Sequence, residues 1–262
     1  MTALSNHPPA SAPVLLAIDT SSSVTSLCLT RNGVVVQSLN NDLDENRSEK
    51  LWVEIDGLLR GAGLTIADVD LFAVCVGPGG FTGLRVGIAA AKGFATAAGK
   101  PLFGVTSLEA TAADAGAGVA VVSLVNAYKG EVYSQLFSLD CEGAPVAENE
   151  ALVSTFRVAL DRVTHIERLV LVGDAAAENA VGVATLTSEM RSDGLLSGAW
   201  EIHRSNPSRA EAIARLAFLK YRKNEAGTVE GVAACYVQRA EAEIKLAKGL
   251  LGSKIDRVRR QP

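Results

Sequence analysis

The sequence predicts an α/β fold of two mixed-sheet halves, and three observations carry the prediction. The chain opens with three strand-like segments in succession; strands and helices then alternate as far as Val105; and a second pass of the same kind begins at Gly118. Strands alternating with helices after an antiparallel meander give a mixed sheet covered by helices. The 262 residues, 48% apolar and 21% charged, are enough for such a fold with a sizeable core.

Val14-Leu15-Leu16-Ala17-Ile18-Asp19 is a continuous apolar run and the first strand. Thr20 to Ser23 leads to Val24–Thr30, and Asn32-Gly33 turns the chain into Val34–Leu39, the dipeptide signal of a tight hairpin. From Ser48, a candidate N-cap, Leu51, Trp52, Ile55, Leu58 and Leu59 recur at helical spacing until Gly61 and Gly63. A strand over 69–76, a helix from about Gly83 to Ala98 and a short strand Pro101–Val105 complete the first half. In the second half Val119–Val125 and Glu131–Leu139 pair, Leu169–Val172 adds a strand, and Arg209–Arg222 is a helix. The expected organisation is a flexible tail over 1–12, a first lobe over 13–108, a divergent second lobe over 109–238, and a partly disordered C-terminal segment over 239–262.

A formal net charge of −4 gives no overall basic footprint for nucleic acid. Cys28, Cys75, Cys141 and Cys235 form no CxxC pair, and Cys28 and Cys75 read as small buried hydrophobes within strands. The N-terminal residues have neither a basic nor an apolar leader pattern, and no run of about 18 apolar residues could span a bilayer. A cytoplasmic protein without membrane contact is the expectation.

The segment Gly77-Pro78-Gly79-Gly80-Phe81-Thr82-Gly83-Leu84-Arg85 sits between a strand and a helix, where glycines allow close approach to a phosphate or to another backbone. It lacks the Gly-Lys-Ser/Thr ending of a Walker loop, and Thr82 stands where a dinucleotide fingerprint has its third glycine. A tight turn and a phosphate contact through Gly79, Gly80 and Thr82 both remain open. A second candidate is the hairpin turn Asp19-Thr20-Ser21-Ser22-Ser23, placed as phosphate-binding hairpins are in actin-like ATPases. Ser21 occupies the position that glycine usually holds there, which weakens the case for phosphate contacts at Asp19, Thr20 and Ser21. His7, His165 and His203 show no i,i+4 pairing, and Gly-x-Ser-x-Gly is absent, so no metal site and no nucleophile system is expected.

Leu16-Ala17-Ile18-Asp19-Thr20-Ser21, Ser48-Glu49-Lys50-Leu51, Gly77 to Arg85 with Gly87 and Ala91-Lys92-Gly93, and Gly104-Val105-Thr106-Ser107-Leu108 together resemble the TsaB (YeaZ) family. The likeness is specific from about Leu16 to Leu108 and thins to Gly130-Glu131-Val132-Tyr133 and Tyr236-Val237-Gln238-Arg239. Gly80, Arg47, Asn126-Ala127-Tyr128 and Ala234 depart from it, at positions where the family has serine, histidine, Asp-Ala-Arg and proline.

The resemblance implies an actin-like (ASKHA, ribonuclease-H-like duplicated) fold and a part in making threonylcarbamoyladenosine beside the anticodon of tRNA. It implies a non-catalytic subunit, which pairs with a TsaD-type catalytic subunit, helps recruit a TsaE-type ATPase and meets tRNA only through the complex. TsaD carries two metal-binding histidines four residues apart, and Ser107 and Thr111 fall at those positions here. Hydroxyls do not replace imidazoles as transition-metal ligands. No intrinsic cofactor is implied; ATP or ADP at the complex interface is left open. The family's first two helices meet their TsaD counterparts as a bundle, which makes Leu51, Trp52, Ile55, Leu84, Arg85, Ala89 and Ala90 the interface candidates, with a homodimer through the same surface when the partner is absent. Two further readings stay open: a nucleotide-hydrolysing, sugar-kinase-like enzyme, suggested by Asp19-Thr20 and the glycine turn, and a glycoprotease-like peptidase.

Overall fold

The computed structural model describes residues 12–42, 47–116, 119–127, 130–206 and 208–237. Strands β1 (Val14–Asp19), β2 (Val24–Arg31) and β3 (Val34–Asp42) form the opening meander, with Asp19 opposite Ser26 and Val14 opposite Arg31. The Asn32-Gly33 turn has positive φ at both residues, 52° and 77°, as the expected hairpin requires. Helix α1 (Arg47–Gly61), β4 (Leu71–Cys75), α2 (Phe81–Ala98) and β5 (Leu102–Val105) follow, and the first sheet has the order β3-β2-β1-β4-β5. Ser48 is therefore inside α1 rather than its cap, and α2 starts two residues before Gly83.

Every residue of β1 is buried, because both faces of this sheet are covered. The alternation of side chains along a strand divides them between two cores. Leu16 and Ile18, with Leu27, Leu29, Phe72 and Val74, pack under α1 and α2. Leu15 and Ala17, with Cys28, Ala73 and Cys75, face the other way, against Ala210, Ile213, Ala214 and Ala217. Those four belong to α7 (Arg209–Arg222), which the sequence order assigned to the second lobe. That boundary is corrected: after the second half is complete the chain returns to the first sheet, and Val229, Val232, Ala234 and Cys235 also join its core.

The second sheet is built from β6 (Ala120–Asn126), β7 (Val132–Leu139), β8 (Pro145–Ala147), β9 (Leu152–Ser154), β10 (Arg168–Val172) and β11 (Ala199–His203), in the order β11-β10-β6-β7-β8 with β9 also on β7. Its logic repeats the first: β6 pairs antiparallel with the next strand, and β10 and β11 add parallel to β6 as β4 and β5 do to β1. Helices α4 (Phe156–Asp161), α5 (Asp174–Glu178) and α6 (Ala180–Ser192) cover one face. Between the sheets lies α3 (Ser107–Ala112), with Leu108 and Ala112 in the core of the second and Ala110 in that of the first. The molecule is thus an α/β fold of two lobes with mixed sheets.

Cys28 and Cys75 are buried as expected. Burial foremost, and Glu211 after it, pushes the Cys28 thiol up to about 12. Among the described residues no helix is long and apolar enough to cross a membrane. The expectations for residues 1–11 and 239–262 lie outside the described residues.

Candidate functional site

The two segments singled out in the sequence, the hairpin turn after β1 and the glycine turn before α2, pack on each other. The Gly80 amide donates to the Ser21 carbonyl at 2.7 Å, and Thr20 Oγ1 donates to the Gly83 carbonyl at 2.7 Å. The Ser21 amide donates to Asp19 Oδ1 at 2.8 Å within the turn. Asp19, Thr20 and Ser21 are all buried. A Cβ at Gly79 would collide with the Ser21 carbonyl, and one at Gly87 with Thr20 Oγ1. These glycines therefore allow α2 to lie against the hairpin, an approach that any side chain would prevent. The close-approach reading of the glycine turn has a structural reason: Gly79 and Gly80 are brought to Ser21, and Gly83 and Gly87 to Thr20, while Thr82 is exposed.

The space between the lobes at this point holds Arg209. This residue opens α7, and its guanidinium reaches Asp19 Oδ2 at 3.6 Å and Ser21 Oγ at 3.2 Å on the first lobe. On the second lobe it reaches Asp174 Oδ2 at 3.5 Å. The side chain is only 13% exposed, and that of Asp19 2%. Burial opposes its charge, but Asp19 and Asp174 outweigh that cost and hold it above its ordinary value. Asp174 is oriented in turn, because its Oδ1 accepts from the Asn126 amide at 2.9 Å and caps the α5 backbone at Ala175 at 2.7 Å. Asn126 Nδ2 also donates to Glu178 at 2.8 Å, so Asn126, which stands where the family has aspartate, is held beside Asp174.

Arg209 and Asp174 were not among the sequence candidates, although signals for both exist. An arginine in the first turn of a helix faces the positive end of the helix dipole and calls for a carboxylate from elsewhere. The run Leu169-Val170-Leu171-Val172-Gly173-Asp174 resembles Leu15 to Asp19, a buried strand with an aspartate at its end in the first lobe and one glycine beyond it in the second.

The interface candidates divide sharply. Leu51, Ile55, Leu84 and Ala90 are 1%, 2%, 1% and 4% exposed and pack within the chain's own cores, which corrects their assignment to a partner-facing surface. They sit on the inward faces of α1 and α2, where one apolar stripe is what the sheet requires. Trp52, Arg85 and Ala89 are exposed. Trp52 is 50% exposed and rests edge-on against Phe94 of α2 at 4.9 Å, while Val53 beside it is 72% exposed. Arg85 lies 3.7 Å over the Phe81 ring, and Tyr236 packs against the same ring at 5.3 Å with the two planes tilted by 34°. The motif residue Tyr236 thereby joins the start of α2 on the surface.

Ser107 and Thr111 lie one turn apart on α3 and are buried. Ser107 Oγ donates to the Pro78 carbonyl at 2.6 Å, while Thr111 Oγ1 has no hydrogen-bond partner among the described residues. Also among the described residues, no group of three or more His, Cys, Asp or Glu is gathered as metal ligands would be.

Comparison with known proteins is consistent with this arrangement. The profile of the family described as TsaD, tRNA N6-adenosine threonylcarbamoyltransferase, matches residues 41–248. The tRNA threonylcarbamoyladenosine biosynthesis protein TsaB of Bacillus subtilis is 28% identical over 235 residues, covering 88% of this chain and 96% of that protein. Further relatives of the same description align over 51% to 58% of their own length. YeaZ from Pseudomonas aeruginosa superposes with a TM-score of 0.64 at 23% identity, over 86% of this chain and 99% of that one. A ROK hexokinase from Thermus thermophilus superposes with a TM-score of 0.52 at 12% identity, over 79% and 99%, which shows a shared actin-like fold and nothing beyond it. With four-fifths of its length inside the family profile and a full-length counterpart among the TsaB proteins, the chain belongs to the TsaD family and, within it, to the TsaB (YeaZ) group.

Proposed function

We infer that the chain serves tRNA threonylcarbamoyladenosine biosynthesis as a partner subunit, docking a TsaD-type catalytic subunit through the outer faces of α1 and α2. The observation that carries this reading is the exposed pair Trp52 and Val53, set on a rigid helix beside the exposed residues Arg85, Ala89 and Gly93 of α2. A half-exposed tryptophan propped by Phe94 is the kind of anchor that interface hot spots favour, and small neighbours let a second helix approach. Leu51, Ile55, Leu58 and Leu59 of α1 and Leu84, Ile88, Ala90 and Ala91 of α2 are engaged in the fold, so the docking surface lies on the opposite, exposed faces of the two helices. TsaE recruitment and contact with tRNA follow through the assembled complex.

Affinity capture with the cognate TsaD-type subunit, with and without ATP, tests the reading. Trp52→Glu or Ala89→Glu is expected to abolish capture, with circular dichroism and melting temperature near those of the parent. A charge at Ala90 is unsuitable, because that residue is buried and the fold itself would fail. Capture unchanged by both substitutions would overturn the proposed surface. The ATP-free arm reads out whether nucleotide bridges the pair, and a tRNA modification assay is expected to show no transfer by the chain alone.

A further inference from the structure

An actin-like fold implies a magnesium nucleotide between its lobes, and the residues here do not fit one. The turns that would cradle a phosphate spend donors on each other, through Gly80 to Ser21 and Ser21 to Asp19. Gly79, whose bare backbone would suit a phosphate, is backed directly by the Ser21 carbonyl. The carboxylates at the end of β1 and at the start of α5, one from each lobe, are both engaged by one guanidinium.

We propose that Arg209 is a resident cation of the interlobe cleft, latching the two lobes through Asp19 and Asp174 and closing the cleft to magnesium nucleotides. Two buried or half-buried carboxylates facing each other repel unless a cation lies between them. A metal ion bound with a nucleotide would answer that need only while the nucleotide is present. An arginine supplied by the chain answers it permanently, and its planar fork engages both acids at once. The α7 backbone that carries it is fixed independently, because Ser26 Oγ on β2 accepts the Ala210 amide at 3.1 Å. Arg209 thus takes its position from the first lobe and pulls on the second through Asp174. This inference is independent of the partner-docking surface, which lies on α1 and α2.

The test uses the full chain and its variants Arg209→Ala, Arg209→Lys, Asp174→Asn and Arg209→Ala/Asp174→Asn. Arg209→Ala is expected to lower the folding equilibrium constant by roughly a hundredfold, the effect of leaving buried charge without its partner. Asp174→Asn is expected to cost much less in the Arg209→Ala background than in the parent. If Arg209→Ala does not fold, Arg209→Lys carries the test by native-state hydrogen exchange. The Ser21 amide, bonded to Asp19, and the Asn126 amide, bonded to Asp174, are both expected to exchange roughly tenfold faster or more, being the two ends of one latch. Faster exchange on one lobe only, or independent effects of Arg209 and Asp174, would overturn the latch. Calorimetric titration of the parent with Mg-ATP and Mg-ADP is expected to give no saturable heat. Saturable 1:1 binding that Asp174→Asn abolishes would overturn the closed cleft.

Discussion

At Gly87 one methyl group decides how close α2 lies to the first hairpin. Thr20 Oγ1 donates to the Gly83 carbonyl and occupies the space where a Cβ at position 87 would stand. Gly87→Ala is therefore expected to lower stability by roughly 1–3 kcal/mol, the cost of overpacking a tight core, read from the urea midpoint at an unchanged slope. A neutral result would mean that the hairpin yields freely. Residue identity made the close approach readable, since a run of glycines between strand and helix has few other purposes, but it did not say what approaches. Arg209 illustrates the converse. Its charge is plain in the sequence, yet its two partners lie 190 and 35 positions away, and only the fold brings Asp19 and Asp174 to the same guanidinium. Leu51, Ile55, Leu84 and Ala90 show the same limit from the apolar side, because a periodic stripe fixes that a face is covered and not what covers it.

Among the elements, α3 is the shortest with a large task, linking two cores over the six residues Ser107–Ala112. It is started by a reciprocal cap: the Glu109 amide donates to Thr106 Oγ1 at 3.0 Å and the Thr106 amide donates to Glu109 Oε2 at 2.7 Å. Thr106→Ala is expected to cost about 1 kcal/mol, measured by chemical denaturation, with Thr106→Ser close to the parent. β1, β2, β4, α1, α2 and α7 were legible, because each carries an apolar run or a helical stripe, whereas the 13-residue α6, which buries only Val183, Thr187 and Met190, was not. The three-residue strands β8 and β9 and the five- and six-residue helices α5 and α4 were not, because they are shorter than the period that would reveal them. Even β3 is legible chiefly through its turn, since as an edge strand it exposes Val34, Val35 and Val36.

Over the whole molecule, the duplication of β-topology was readable from the order of elements, and the crossing of α7 back to the first lobe was not. Sequence order makes neighbours of residues that are close along the chain, whereas α7 is placed by the apolar face of a sheet whose last strand ends at Val105, more than 100 residues earlier. A fragment ending at Thr106 holds all of the first sheet and lacks the helix that covers Leu15, Ala17, Cys28 and Ala73. It is expected to show no cooperative unfolding transition and no dispersed amide spectrum; either of these would contradict the dependence of the first lobe on α7. The same return path sets a schedule for the growing polypeptide. Translation at 5–20 residues per second leaves β1 to β5 without α7 for on the order of ten seconds after Val105 is made. During that interval an apolar sheet face has no cover from its own chain, so nascent-chain binding factors have a defined target and a defined moment of release, the emergence of α7.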